Sequence, residues 1–241
     1  MRAFTSTSIV AALVAFASAS PLVIPSPYTK HDAALRRAAD CGEVGSDQYC
    51  EGTKRSDNAA YLCGDERLGP SFLTSMSPLD RILRSWDRFG DLCPGEFLAK
   101  WNPNGRWKYP DHNGFDLNAA GQPIEKQEVL DVGTLVDRFG SEGGKYLAPA
   151  GTYYTARAIP PSNLNTVDKS APFNYYQYEV LKPLPVLAGP VRPWFEQKGK
   201  STQYQVEKRV SELINEGYLA RKETCCINCT RNSCHDFFSS K

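Results

Sequence analysis

No stretch of this sequence is apolar over the ~20 residues that a helix needs to cross a bilayer, so a helical membrane span is not expected. A surplus of one charge sign is missing too. The 28 Lys+Arg against 27 Asp+Glu leave a formal charge of +1, and no basic field is available to hold nucleic acid or an anionic membrane. Histidine is scarce, at three residues. A His-centred catalytic triad would need His112, since His31 falls near the start and His235 in the last stretch. His112 sits in the polar turn Pro110-Asp111-His112-Asn113-Gly114 and reads as a loop residue. The sequence also has no G-x-S-x-G elbow, no H-E-x-x-H and no Walker-type glycine loop, which removes the chemistries those signatures carry.

What is present begins with Arg2, an apolar run from Ile9 to Phe16 and the small residues Ala17-Ser18-Ala19. That order is a secretory signal peptide, expected over 1–19, with a soluble, extracellular or cell-surface mature protein. Residues 20–40 hold Pro21, Pro25 and Pro27 with no apolar period and read as a leader or extended arm, with a dibasic processing candidate at Arg36-Arg37. Secretion turns an even cysteine count into a disulfide framework. Cys41, Cys50, Cys63 and Cys93 form one group and Cys225, Cys226, Cys229 and Cys234 another; pairing within or between the groups stays open. Asn228-Cys229-Thr230 is a glycosylation sequon.

With 241 residues and 11% aromatics the chain can bury a core. Leu79, Ile82, Leu83 and Trp86 fall at i, i+3, i+4 and i+7 after Pro78, predicting a helix whose end carries Asp87-Arg88-Phe89-Gly90. From Glu125 the signal turns to strands: 134–138, 145–148, 175–181 and 184–188 are short, β-branched or aromatic, and bounded by Gly or Pro. Val206, Val210, Leu213 and Ile214 predict a late helix stopped at Gly217. The expected class is α+β, with a bent, mostly antiparallel sheet behind a disulfide-stapled N-terminal region spanning 41–124.

One ordered series carries chemistry: Asp137-Arg138-Phe139-Gly140, Gly143-Gly144-Lys145-Tyr146-Leu147-Ala148-Pro149, Gly151-Thr152, Arg157, Pro160-Pro161, Gly189-Pro190, Pro193-Trp194-Phe195, Gly199 and Thr202-Gln203-Tyr204. It resembles the tuberculosis necrotizing toxin domain, a family of NAD glycohydrolases, over 125–220, with 221–241 as a cysteine-rich tail. The first half resembles the extra N-terminal region of the fungal secreted members. The tetrapeptide at 87–90 repeats the one at 137–140, but only the second is followed by the glycine pair and Tyr-Leu-x-Pro.

The resemblance implies cleavage of the nicotinamide–ribose bond of NAD+, with NADP+ open as a second substrate. It implies Arg138 and Gln203 as catalytic residues, and Phe139 and Tyr146 as lining the nucleotide site. It also implies a homodimer and no cofactor; a calcium ion near the C-terminus, as in some fungal relatives, is poorly served here, since few carboxylates, Glu223 and Asp236 among them, lie in the tail.

The chemistry fits those residue types. Nicotinamide leaves NAD+ neutral, so the general acid that most glycosidases require is unnecessary. Positioning, electrostatic support and a placed water suffice. Arg138 offers a bidentate fork for pyrophosphate, and Arg157 is a second, weaker candidate for a phosphate contact. Gln203 can orient ribose hydroxyls or water without a change of charge. If an acid residue took part, Glu142 would be the first suspect. Alternative readings are mono-ADP-ribosyl transfer, which calls for a positioned glutamate such as Glu142 or Glu179, and a non-catalytic secreted NAD-binding effector.

Overall fold

Short strands alternating in burial build the scaffold of this chain, of which the computed structural model describes residues 41–222. The expected signal peptide, the leader with Arg36-Arg37, the second cysteine group, the sequon at Asn228 and the tail carboxylates all lie outside the described residues. The strands are β1 (Lys126–Leu130), β2 (Leu135–Phe139), β3 (Tyr146–Pro149), β4 (Tyr175–Val180), β5 (Leu184–Pro190), β6 (Thr202–Gln205) and β7 (Leu219–Lys222). They form one sheet in the order β1-β5-β6-β3-β2-β4-β7, and every pairing is antiparallel. This is the expected α+β class.

Successive side chains on a strand point to opposite faces, and the core divides accordingly. Val136 on β2 and its partner Tyr178 on β4 join Leu147, Val186 and Leu219 in one cluster. That cluster is closed by helix α4 (Val210–Asn215) through Val210 and Leu213. Three residues along the same strands, Phe139 and Tyr175 face the other way and pack with Leu79, Ile82 and Leu83 of helix α1 (Leu79–Leu83) and Tyr154 of helix α3 (Tyr154–Arg157).

The two helices expected from periodicity form, but shorter than predicted. α1 ends at Leu83, so Asp87-Arg88-Phe89-Gly90 lies in irregular backbone past the helix rather than at its end. Trp86 still reaches the core by packing edge-on against Tyr154, with ring centroids 4.8 Å apart. Val206 is buried ahead of α4, because its N–H donates to the Lys145 carbonyl and keeps it in the sheet's hydrogen bonding.

Helix α2 (Pro94–Trp101) has no counterpart in the periodic reading. It starts with proline in the first turn, and the Glu96 carboxylate accepts the Cys93 N–H at 2.9 Å. Two disulfides pair the first cysteine group internally, Cys41 with Cys93 and Cys50 with Cys63. Phe97 and Leu98 of α2 pack with Leu62, Leu68, Phe89 and Phe195. Phe195 comes from the segment after β5, so this aromatic cluster ties the disulfide-bonded half to the sheet.

Candidate active site

Sheet order brings distant parts of the sequence together. β6, β3 and β2 are neighbours, and they carry Gln203, Tyr146 and Arg138 respectively. All three line one cleft of about 910 Å³. Its opposite wall is the loop from Tyr109 to Gly114, contributed by the disulfide-bonded half.

That wall is fastened by the site residues themselves. The Gln203 Nε2 donates to the Asn113 carbonyl at 2.9 Å, and the Tyr146 hydroxyl donates to Asn113 Oδ1 at 3.3 Å. Asn113 accepts the two at different atoms, and its backbone takes φ 54, a left-handed conformation that asparagine tolerates better than most residues. Among the described residues no donor reaches Gln203 Oε1, so the side chain keeps an acceptor for a ligand. His112 lies in this loop, as its polar turn predicts, and also lines the cleft. The wall is closed by contacts spanning 90 residues, which local sequence does not announce.

Arg138 is half-buried, and its fork is directed largely at backbone. Nε donates to the Ser141 carbonyl and Nη1 to the Tyr146 carbonyl, each at 2.8 Å. Burial lowers its pKa, with Tyr178 and Tyr109 opposing, yet a guanidinium stays cationic. A Cβ on Gly144 would fall 1.9 Å from Arg138 Nη2, so the second glycine of the pair leaves the room in which this fork lies against the chain. Gly144→Ala should therefore displace Arg138, lowering kcat/KM up to about 10²-fold, the cost of a misplaced positioning group. Steady-state kinetics beside Arg138→Ala check this; unchanged kinetics in Gly144→Ala would mean that the fork's place does not matter.

The remaining candidates take other tasks. Phe139 is 3% exposed, and its ring meets Tyr154 at 5.0 Å, Tyr175 at 4.9 Å and the Arg157 guanidinium at 5.1 Å. It lines the cleft from within the core, held by these three neighbours. Arg157, expected as a phosphate contact, ion-pairs with buried Asp137 at 2.5 Å and donates to the Thr152 carbonyl through Nε and Nη2. Its donors hold the strand–helix junction together.

Glu142 does not line the cleft. It accepts from the Arg221 fork and from the Tyr178 hydroxyl at 3.0 Å. Burial pushes its carboxyl up, but Arg221 and Tyr178 outweigh that and hold it below the usual range, so it is a poor proton donor. Glu179 pairs with Lys222 at 2.8 Å. Arg88, in the first copy of the tetrapeptide, donates to the Leu68 carbonyl at 2.6 Å and lies beneath Trp86 rather than at the cleft.

The family model of tuberculosis necrotizing toxin matches residues 129–222, which carry Arg138, Tyr146 and Gln203. The chain belongs to this family, through its fungal branch. Over 168 residues, 68% of this chain and 72% of the relative, it is 51% identical to the conidial surface nicotinamide adenine dinucleotide glycohydrolase nadA of Aspergillus fumigatus. Among solved structures, it is similar to tuberculosis necrotizing toxin complexed with its immunity factor IFT, with TM-score 0.43 and 19% identity over 70% of this chain and 98% of that one. A second similarity, to Tse6 in complex with Tsi6, has TM-score 0.29 and 14% identity over 42% of this chain and 72% of that one.

Proposed function

We propose that the chain is an NAD+ glycohydrolase, cleaving the nicotinamide–ribose N-glycosidic bond to give nicotinamide and ADP-ribose. The observation that carries this reading is the convergence of Gln203, Tyr146 and Arg138 on a cleft whose lining carboxylates are only Asp111 and Asp137, the latter locked to Arg157. A pair of free carboxylates, which most glycoside hydrolysis needs, is not assembled there among the described residues. NAD+ does not need one, because its leaving group departs neutral. Gln203 supplies a neutral acceptor for the ribose or the attacking water, and Arg138 organises the loop that shapes the site.

The identity with a glycohydrolase of the conidial surface supports the same reaction and an extracellular or cell-surface setting. NADP+ as a second substrate and a homodimeric state belong to the proposal as family expectations. Glu142 and Glu179, the glutamates that ADP-ribosyl transfer would require, are both held in ion pairs away from the cleft, which disfavours that reading. The test is nicotinamide release from NAD+ by the secreted protein, with ADP-ribose as the only adenine product. Labelled acceptor protein instead of free ADP-ribose would mean transfer; NAD+ binding without release would mean a non-catalytic effector.

A further inference from the structure

We propose that Arg192 is the anchor for a phosphate of the dinucleotide, gripping two oxygens with one edge of its guanidinium. The inference rests on the NAD+ reading of the cleft and adds the residue that would hold the substrate's charged middle.

Four arginines line the cleft: Arg138, Arg157, Arg192 and the exposed Arg209. Arg138 gives Nε and Nη1 to the carbonyls of Ser141 and Tyr146. Arg157 gives Nε and Nη2 to Thr152 and Asp137. For Arg192, Nε and Nη2 are both buried, and no described residue accepts from either. Those two nitrogens share one side of the guanidinium plane and present parallel N–H bonds, the geometry that takes two oxygens of a phosphate. Buried charged donors left unpaired are costly, so two of them on one residue of the cleft lining call for an acceptor, and an anion is the one that also meets the charge.

The backbone holds this side chain in place before any ligand arrives. The Arg192 N–H donates to the Gly114 carbonyl at 2.9 Å, and Val191 exchanges bonds with Ser201 and Lys200 at 2.8 and 2.7 Å. Pro193 follows and restricts Arg192 to extended backbone. Trp194, two residues on, donates from Nε1 to the Lys108 carbonyl at 2.7 Å. The same Asn113-Gly114 turn is thus gripped by Gln203 on its first residue and by Arg192 on its second, which fixes the distance between the reacting end of the cleft and the proposed anchor.

The surroundings select an anion. Lys145 and Arg209 line the cleft as well, against Asp111. Asp116 feels the charge of Arg192, but it accepts from Lys200, which holds it low ahead of Arg192's weaker field. It receives no hydrogen bond from Arg192, so it satisfies neither of the two buried donors.

The test measures ADP-ribose binding by calorimetry to wild type, Arg192→Gln and Arg192→Lys, with melting temperatures and NAD+ kinetics on the same preparations. Loss of a charge-assisted contact should weaken ADP-ribose about ten- to a hundred-fold in Arg192→Gln. Arg192→Lys, which keeps the charge but not the fork, should fall between it and wild type. Nicotinamide riboside, which has the scissile bond and no phosphate, should bind all three proteins alike. Unchanged ADP-ribose affinity in both variants would overturn the anchor. Equal losses for ADP-ribose and nicotinamide riboside, tracking a lowered melting temperature, would also overturn it by making Arg192 structural. If Arg192→Gln fails to fold, wild-type affinity in Arg192→Lys overturns it in the same way. Failure of the underlying reading looks different: wild type would release no nicotinamide, whatever Arg192 does to ADP-ribose.

Discussion

Replacing Gln203 with alanine is expected to cut nicotinamide release from NAD+ by roughly 10²–10³-fold, the range seen when one preorganised polar group is removed from a reacting centre. The fold should survive. The Gln203 side chain is half-buried and makes a single hydrogen bond, from Nε2 to the Asn113 carbonyl, which contributes about 1 kcal/mol. That corresponds to about 2–4 °C of melting temperature for a chain of this size. Departure of nicotinamide leaves positive charge on the ribose, and Oε1 is a neutral acceptor that can meet it or orient the incoming water.

Gln203→Glu separates these roles. It keeps the shape and an acceptor but loses the donor to Asn113, placing a carboxylate against a carbonyl, so the wall at 109–114 should loosen. Both variants are assayed for nicotinamide release and melting temperature. Full activity in Gln203→Ala would remove the residue from the mechanism.

Much of the sheet could be read from the sequence because its strands obey local rules. β2, β4 and β5 alternate β-branched and aromatic residues between Gly and Pro breaks, and each formed within a residue or two of its expected place. β1, β6 and β7 gave no such signal. Lys126-Gln127-Glu128, Thr202-Gln203 and Ala220-Arg221-Lys222 are polar at most positions, and they extend because hydrogen-bonding neighbours demand it. Tertiary pairing overrides weak propensity in such segments. Helix α2 was hidden for another reason: its start lies in the proline and the Glu96 cap rather than in an apolar period, and a disulfide at Cys93 fixes its position.

The site divides along the same line. Arg138, Tyr146 and Gln203 stand in motifs, and the order of strands joins them. The wall that closes the cleft stands in no motif, because Asn113 and Gly114 matter through backbone placement and contacts far along the chain. Phe139 and Arg157 show the limit of a motif from the other direction. A residue can hold its place in a family series because the core needs it, and nothing in the letters distinguishes that from contact with substrate.

Asp137 offers the largest expected effect on stability. It is fully buried, with Oδ1 accepting from Arg157 Nη2 at 2.5 Å and Oδ2 from the Gly151 N–H at 2.8 Å and the Tyr175 hydroxyl at 2.9 Å. Burial, then the carboxylate itself, pushes the Tyr175 hydroxyl well up, so it remains a donor at any working pH. Asp137→Ala leaves the Arg157 charge buried without its partner, and breaking a buried pair from one side costs about 3–5 kcal/mol.

At 2–4 °C per kcal/mol, melting should fall by roughly 6–20 °C. Removing the charge as well, in Asp137→Ala with Arg157→Met, should recover part of the loss, because the unpaired cation rather than the missing bond dominates the cost. Thermal melts of both single variants and the double variant, with NAD+ kinetics on whichever remain folded, decide the matter. A double variant no more stable than Asp137→Ala would deny the coupling. A double variant that regains its melting temperature yet loses NAD+ affinity a hundred-fold would return Arg157 to the substrate site that the sequence first suggested for it.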